Sequence, residues 1–430
     1  MKKWPVLLCA LLLVWGLAAC GGDTREDTPP SPPAEAGDAP EEIELTLWTF
    51  PVGDWGNPTA VSNILMGFHQ ENPGVHISVE YLDYDSGDEK ISQAVQAGNA
   101  PDLVLEGPER LVANWGDKGW MADLSDLWQS DAAGTVYENI RLACRNRDGA
   151  YFEFPICMSA HCMAINYDLF RDAGALEFID EENHSWTTEG FIRAVEALNA
   201  YGVEKAGIVY CRNQSGDQGT RALVNNLYGG RFTDSAHSVY TVDSDETRRA
   251  LELLRDLEGI AFEPELTAAN AIELFCKKET AMCFCWSASM EVQQTINNPD
   301  LDFDVFPMAF PTDQEASRLE GGIWGLGVFD NGDEKKIGAA KSFIRYLTEN
   351  DAVYTRAVLT SSYWPVRDME NIYENDKLMS EYSIFMQSMG DYYQITPGWA
   401  GARAAWWQML AKVGRGEDIT LALKGFPNPD

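Results

Sequence analysis

Ile43-Glu44-Leu45-Thr46-Leu47-Trp48-Thr49-Phe50 is the stretch on which the fold turns. Its β-branched and aromatic residues, bounded by Pro51 and Gly53, read as a first, central strand that ends in a turn. Immediately after it, Val61, Ile64, Leu65 and Phe68 recur at helical spacing, which predicts a helix from Ala60 to Asn72, stopped by Asn72-Pro73-Gly74. Alternation returns in His76-Ile77-Ser78-Val79-Glu80-Tyr81, a strand from Val75 to Leu82. A second helix runs from Asp88 to Ala97 and ends at Gly98, and Asp102-Leu103-Val104-Leu105 is a short buried strand. The order is βαβαβ, which defines an α/β protein with a parallel sheet. Such sheets gather ligands at the carboxyl ends of their strands, so Phe50 to Trp55 and Leu105 to Arg110 become candidate ligand segments, although turn residues occur there in any case.

Upstream of this unit, Lys2 and Lys3 precede an apolar run from Val6 to Leu17 and then Leu17-Ala18-Ala19-Cys20. The run is too short to span about 30 Å of hydrocarbon and has small residues at its end, so residues 1–20 read as a secretory signal. Leu17 to Cys20 resembles the bacterial lipobox, in which the cysteine becomes the lipidated first residue. From Gly21 to Glu42 there are prolines, acids and small residues but no large apolar side chain, which makes residues 21–42 a disordered tether. With 45% hydrophobic residues over 430 positions, the remainder has material for one large or two medium cores. A net charge of −35 argues against nucleic acid and anionic lipid headgroups as partners. Beyond Cys9 and Cys20 the chain has seven cysteines, an odd number, and Met282-Cys283-Phe284-Cys285-Trp286 places two thiols on one face of a strand, as small buried apolar groups. Its five histidines are scattered and no CxxC spacing accompanies them, so no metal site is expected.

A series of segments in order carries a family resemblance from Ile43 to Phe426: Pro101-Asp102-Leu103-Val104, Trp120-Met121-Ala122-Asp123-Leu124, Phe152-Glu153-Phe154-Pro155, and Ile165 to Gly174. Ser185 to Phe191, Gly229-Gly230-Arg231-Phe232, Ala281-Met282, Gly321-Gly322-Ile323-Trp324-Gly325 and the helix Ala339 to Leu347 complete it. This chain resembles the family 1 extracellular solute-binding proteins, the group that includes maltose-binding protein. The resemblance implies two α/β lobes with a ligand cleft between them: residues 43–156 with 322–350 in one, and 157–321 with 351–430 in the other. It further implies a monomeric lipoprotein on the extracellular face of the cell membrane, without cofactor, which delivers its ligand to ABC permease subunits. Ligand bridging two lobes favours the closed form by its differential contacts.

A carbohydrate is the ligand such a cleft is expected to hold. Sugars present apolar C–H faces and a rim of hydroxyls, and so select aromatic platforms flanked by carboxylates, amides and arginine. Of fourteen tryptophans, Trp128, Trp186, Trp406 and Trp407 fall where a core explains them. Trp55, Trp286, Trp324 in a glycine-rich turn, Trp364 and Trp399 fall in predicted loops and are the platform candidates. Polar candidates are Asp54 in the first loop, Glu106, Glu109 and Arg110 after the Pro-Asp strand, and His161 near the predicted crossover. Each has an ordinary alternative: a turn aspartate, a helix-start acid, a surface ion pair or a core histidine. Arg403 lies on a late helix where the resembling proteins place an aromatic contact. That departure points either to a ligand with anionic character or to a salt bridge. A secreted glycoside hydrolase would need two opposed carboxylates, and no eight-fold barrel pattern or compact acid motif is visible among the 67 acids, so no catalytic residue is expected. A surface adhesin would show repeats, and there are none.

Overall fold

The computed structural model describes residues 42–84, 86–212, 216–299 and 301–426. The signal segment, Cys20 and the tether up to residue 41 lie outside the described residues. Among those described, no helix is long and apolar enough to cross a membrane.

The opening unit forms where the alternation and spacing placed it. Strand β1 (Ile43–Thr49) pairs in parallel with β2 (Val75–Tyr81) on one side and β3 (Leu103–Glu106) on the other, so it is central rather than an edge. The first helix covers Pro58–Glu71; the Asn57 side chain accepts the Thr59 N–H at 3.0 Å, and Pro58 at the first position needs no donor. Its face Val61, Ile64, Leu65 and Phe68 is buried, worth roughly 1.5–3 kcal/mol per fully buried large side chain. The second helix is Gly87–Gln96.

Beyond β3 the sheet stops being parallel. β9 (Glu320–Val328) is antiparallel to both β3 and β4 (Phe154–Asn166), giving the order β10-β4-β9-β3-β1-β2, where β10 is the pair Trp364–Pro365. β4 is thirteen residues long and serves two neighbourhoods. Phe154 to His161 pair with β9, whereas Cys162 to Asn166 pair with β7 (Met282–Trp286) and β8 (Val305–Met308). Its pairing shifts register between Pro155 and Cys157 and again between Cys162 and Ala164. A separate parallel pair, β5 (Gly207–Tyr210) and β6 (Ile260–Glu263), belongs with the second neighbourhood through β5 packing near β7. Strands on either side of β4 are thus two groups joined by continuous backbone.

Trp128, Trp186, Trp406 and Trp407 are buried. The seven described cysteines are free thiols; six are buried and Cys276 is half-buried. Burial raises the pKa of each, so none is held as thiolate.

Candidate functional site

The site grows from three chain segments that end at one cleft. β3 delivers Glu106, after which Gly107 and Pro108 start a helical turn bearing Glu109 and Arg110. β9 contributes Gly321, Gly322, Ile323 and Trp324, and the helices Asp217–Tyr228 and Trp399–Gly414 contribute Asp217, Gln218, Trp399 and Arg403. With Tyr84, Tyr392 and Gln394 these enclose a cleft of about 760 Å³. A cavity of that size falls in the range of small-molecule sites, and its lining is rich in charged and amide side chains.

Trp324 is the flat surface in it. Its indole stacks on Tyr363 at 4.6 Å between centroids and 15° between planes, so Tyr363 covers its back. The benzo edge folds along the strand over Gly322, where an added Cβ would come within 2.3 Å of it. Trp399 instead rests a face on the Arg221 guanidinium, 4.9 Å from the ring centroid.

The polar groups form two carboxylate–guanidinium clusters. Arg110 forks onto Asp88, Nε to Oδ1 at 2.7 Å and Nη2 to Oδ2 at 2.9 Å, while Nη1 reaches Glu106 at 3.1 Å and Glu109 at 3.2 Å. It packs beside the stacked rings of Phe50 and Tyr84, 5.2 and 5.6 Å from their centroids. Burial pushes the Glu106 carboxyl up to about 7 despite Arg110, and its Oε2 has no hydrogen-bond partner. Beneath the floor, Glu153 is fully buried with both carboxyl oxygens unpartnered, so burial and the neighbouring Glu106 hold its pKa well above the carboxylate range. Gly325, cross-strand from Glu106, leaves it room: a Cβ there would stand 2.8 Å from Glu153 Oε1.

In the second cluster, Arg403 forks onto Asp217, Nε to Oδ2 at 2.9 Å and Nη2 to Oδ1 at 2.7 Å. Arg221, one helical turn after Asp217 and fully buried, donates to Asp217 and to Glu320 Oε2, the latter from Nη2 at 2.8 Å. Burial raises the Glu320 carboxyl to about 7, against the pull of Arg221.

Of the eleven residues expected at the site, the fold brings together Glu106, Glu109, Arg110, Trp324, Trp399 and Arg403. Trp55, Trp286 and Trp364 do not join them. The first two are fully buried and Trp364 nearly so. The indole N–H groups of Trp55 and Trp364 go to the backbone oxygens of Ala357 and Met379, both at 3.2 Å, and that of Trp286 to Glu291 at 3.3 Å. Large aromatics at strand ends serve the core here because helices cap those ends. Asp54 is exposed in the short turn Gly53–Gly56, where its carbonyl accepts the Asn57 N–H, outside the cleft lining. His161 sits in β4 opposite Glu320, and burial lowers its pKa to about 4, which keeps it neutral. Arg403 takes the salt-bridge alternative. The glycine-rich segment around Trp324 is not a turn but the middle of β9.

Sequence reasoning missed Tyr84, Asp217, Gln218, Tyr392 and Gln394. Tyr84 follows β2 directly and falls under the same carboxyl-end rule that selected Glu106. Asp217 had a signal too, a carboxylate four residues before Arg221 at a helix start. Among the described residues, one group brings three possible metal-ligand atoms within 4.8 Å, Glu42, Glu44 and His76, and no cleft residue belongs to it.

Two groups of strands sharing one long strand, with a cleft lined from both, define a two-lobed α/β binding fold. Residues 55–354 match the profile of the bacterial extracellular solute-binding protein family, and this chain belongs to that family. It is similar to a maltooligosaccharide ABC transporter solute-binding lipoprotein of Streptococcus pneumoniae, 29% identical over 183 residues, 43% of this chain and 39% of the relative. The match thus spans about two fifths of that protein's length. Among solved structures, the cyclic alpha-maltosyl-1,6-maltose binding protein of Arthrobacter globiformis superposes with a TM-score of 0.72 at 20% identity, over 89% of this chain and 96% of the other. An ABC substrate-binding protein of Listeria monocytogenes in complex with cycloalternan gives 0.62 at 18%, over 90% and 97%. These two likenesses show the fold.

Proposed function

We propose that this chain captures a saccharide in the cleft and hands it to an ABC importer, without chemical change to the ligand. One observation carries the reading: the Trp324 indole, backed by Tyr363, lies in the same cleft as the partly exposed Glu109 carboxyl and the unpartnered Gln218 Oε1. A flat apolar face beside oriented acceptors matches a pyranose, which offers C–H groups on its face and O–H donors around its rim. The names of the relatives, a maltooligosaccharide binder and a cyclic maltosyl-maltose binder, support an α-glucan as first trial ligand.

In this reading the lobes are residues 43–156 with 322–350 and residues 157–321 with 351–430, closing over ligand by bending near β4, the strand the two groups share. The tether from a lipidated Cys20 keeps the binder at the outer membrane face beside its permease subunits, and the binder works as a monomer. The test is calorimetry and thermal unfolding with maltose through maltoheptaose and cyclic maltosyl-maltose, followed by chromatography of the recovered sugar. A saturable rise in Tm with intact sugar is the expected result. Shortened products would move the protein to the hydrolases, and no binding by any saccharide would overturn the reading.

A further inference from the structure

We propose that Asp88 and Asp217 set the charge selectivity of the cleft: by occupying the guanidinium forks of Arg110 and Arg403 they make it refuse saccharides bearing carboxylate, sulfate or phosphate. The inference rests on the saccharide reading above and adds which saccharides are admitted.

Arginine recognises an anionic substituent through its fork of parallel N–H donors. Both forks at this cleft are spent on the chain's own carboxylates. Asp88 takes Nε and Nη2 of Arg110, and Glu106 and Glu109 share Nη1. Phe50 and Tyr84, whose rings stack on each other at 5.2 Å, pack together against one side of that guanidinium. Asp217 takes Nε and Nη2 of Arg403 and also accepts from Arg221, which Glu320 and the Tyr393 hydroxyl complete. Tyr393, Phe232 and Trp399 pack around Arg221, so it offers nothing outward.

The count of charges points the same way. Three guanidiniums, of Arg110, Arg221 and Arg403, face five carboxyls, of Asp88, Glu106, Glu109, Asp217 and Glu320. Burial raises the carboxyls of Glu106 and Glu320 to about 7, so each can hold a proton near neutrality. Even with both protonated the balance reaches zero and does not turn positive. The field of a chain with net charge −35 adds to the barrier. What the cleft offers instead is acceptors. Glu109 is partly exposed at its edge, and the buried Gln218 Oε1 has no partner. A ligand is therefore held by what it donates, as hydroxyl groups do.

The experiment has two arms. The wild-type protein is titrated with neutral oligosaccharides (maltotriose, cellotriose, xylotriose, mannotriose) and with trigalacturonate, triguluronate and the C6-carboxyl form of whichever neutral sugar binds. The expected result is binding confined to the neutral set, with the C6-carboxyl form at least about 100-fold weaker, as for one like charge brought against a desolvated carboxylate. In the second arm, Asp88→Asn/Glu109→Gln frees the Arg110 fork without touching a fully buried group. Its neutral-to-carboxylated affinity ratio is expected to fall at least about tenfold. Tight binding of a uronate by wild type, or an unchanged ratio in the double variant, overturns the inference while leaving the saccharide reading intact. Silence from both sets overturns the saccharide reading and the inference with it.

Discussion

Gly322→Ala asks whether the Trp324 platform binds ligand. A methyl group built on Gly322 would lie 2.3, 2.5 and 2.9 Å from three carbons of the indole, closer than carbon atoms approach. The ring cannot retreat through the face that Tyr363 covers at 4.6 Å, and Tyr363 is itself fixed by its N–H to Ser361 and its carbonyl to the Tyr373 hydroxyl. The backbone of Gly322 is not in the left-handed region, so alanine fits β9 locally. The indole must therefore swing off Tyr363 and into the space a sugar ring would occupy. Losing one stacked platform costs about 1.4–2.7 kcal/mol of binding, a 10- to 100-fold rise in Kd. Folding stability should change by less than about 1 kcal/mol, since the displaced ring moves toward solvent rather than leaving a cavity. Calorimetry with the best-binding maltooligosaccharide, paired with thermal unfolding of the free protein, reads both quantities. An unchanged Kd would sink the platform argument, and a large drop in Tm would show that Trp324 is a structural residue.

Trp286→Ala should do the reverse, because it removes a fully buried indole packed on Phe275; about 3–5 kcal/mol of stability is lost, visible as a fall in denaturation midpoint. Glu106→Gln tests the buried carboxyl. Its folded pKa of about 7 lies above the model-peptide 4.5, so the folded protein binds the proton more tightly and is penalised as pH rises between those values. The variant should therefore be more stable than wild type at pH 8, by up to about 3 kcal/mol, and the gap should close toward pH 5; a gap independent of pH in denaturant titrations contradicts the assignment. Cys20→Ala should release the protein into the medium or leave it as unprocessed precursor, and mature lipid-labelled protein from that variant rules out lipidation at this position.

The opening strands and helices were legible because each has one buried face, and burial imposes a period of two or of 3.6 on the residues themselves. β9 was not. Gly321, Gly322, Gly325 and Gly327 empty its pattern of side chains, so it reads as a turn, although glycine is required because β4, Trp324 and the Glu153 carboxyl crowd against it. The site divides similarly. Glu106, Glu109 and Arg110 could be placed because the end of a parallel strand is a local feature. Which tryptophans face the cleft could not, since Trp55 and Trp324 differ only in what distant segments do: the helix containing Ala357 closes over one, and Tyr363 supports the other from behind. Asp217 meeting Arg403 is a contact between helices 186 residues apart, and no spacing rule reaches that far.

The buried thiols have a practical consequence for anyone who wants to watch this protein at work. Six of the seven described cysteines are sealed from solvent, burial disfavours thiolate at all seven, and only Cys276 is half-buried. Maleimides react with exposed thiolate. A single cysteine introduced at the rim of the cleft, on an exposed position such as Tyr84, would thus take up a fluorophore against a nearly silent background, with the native cysteines left in place. The chain is in that respect already prepared as an optical sensor, whose colour or brightness would report the occupancy of the cleft in real time.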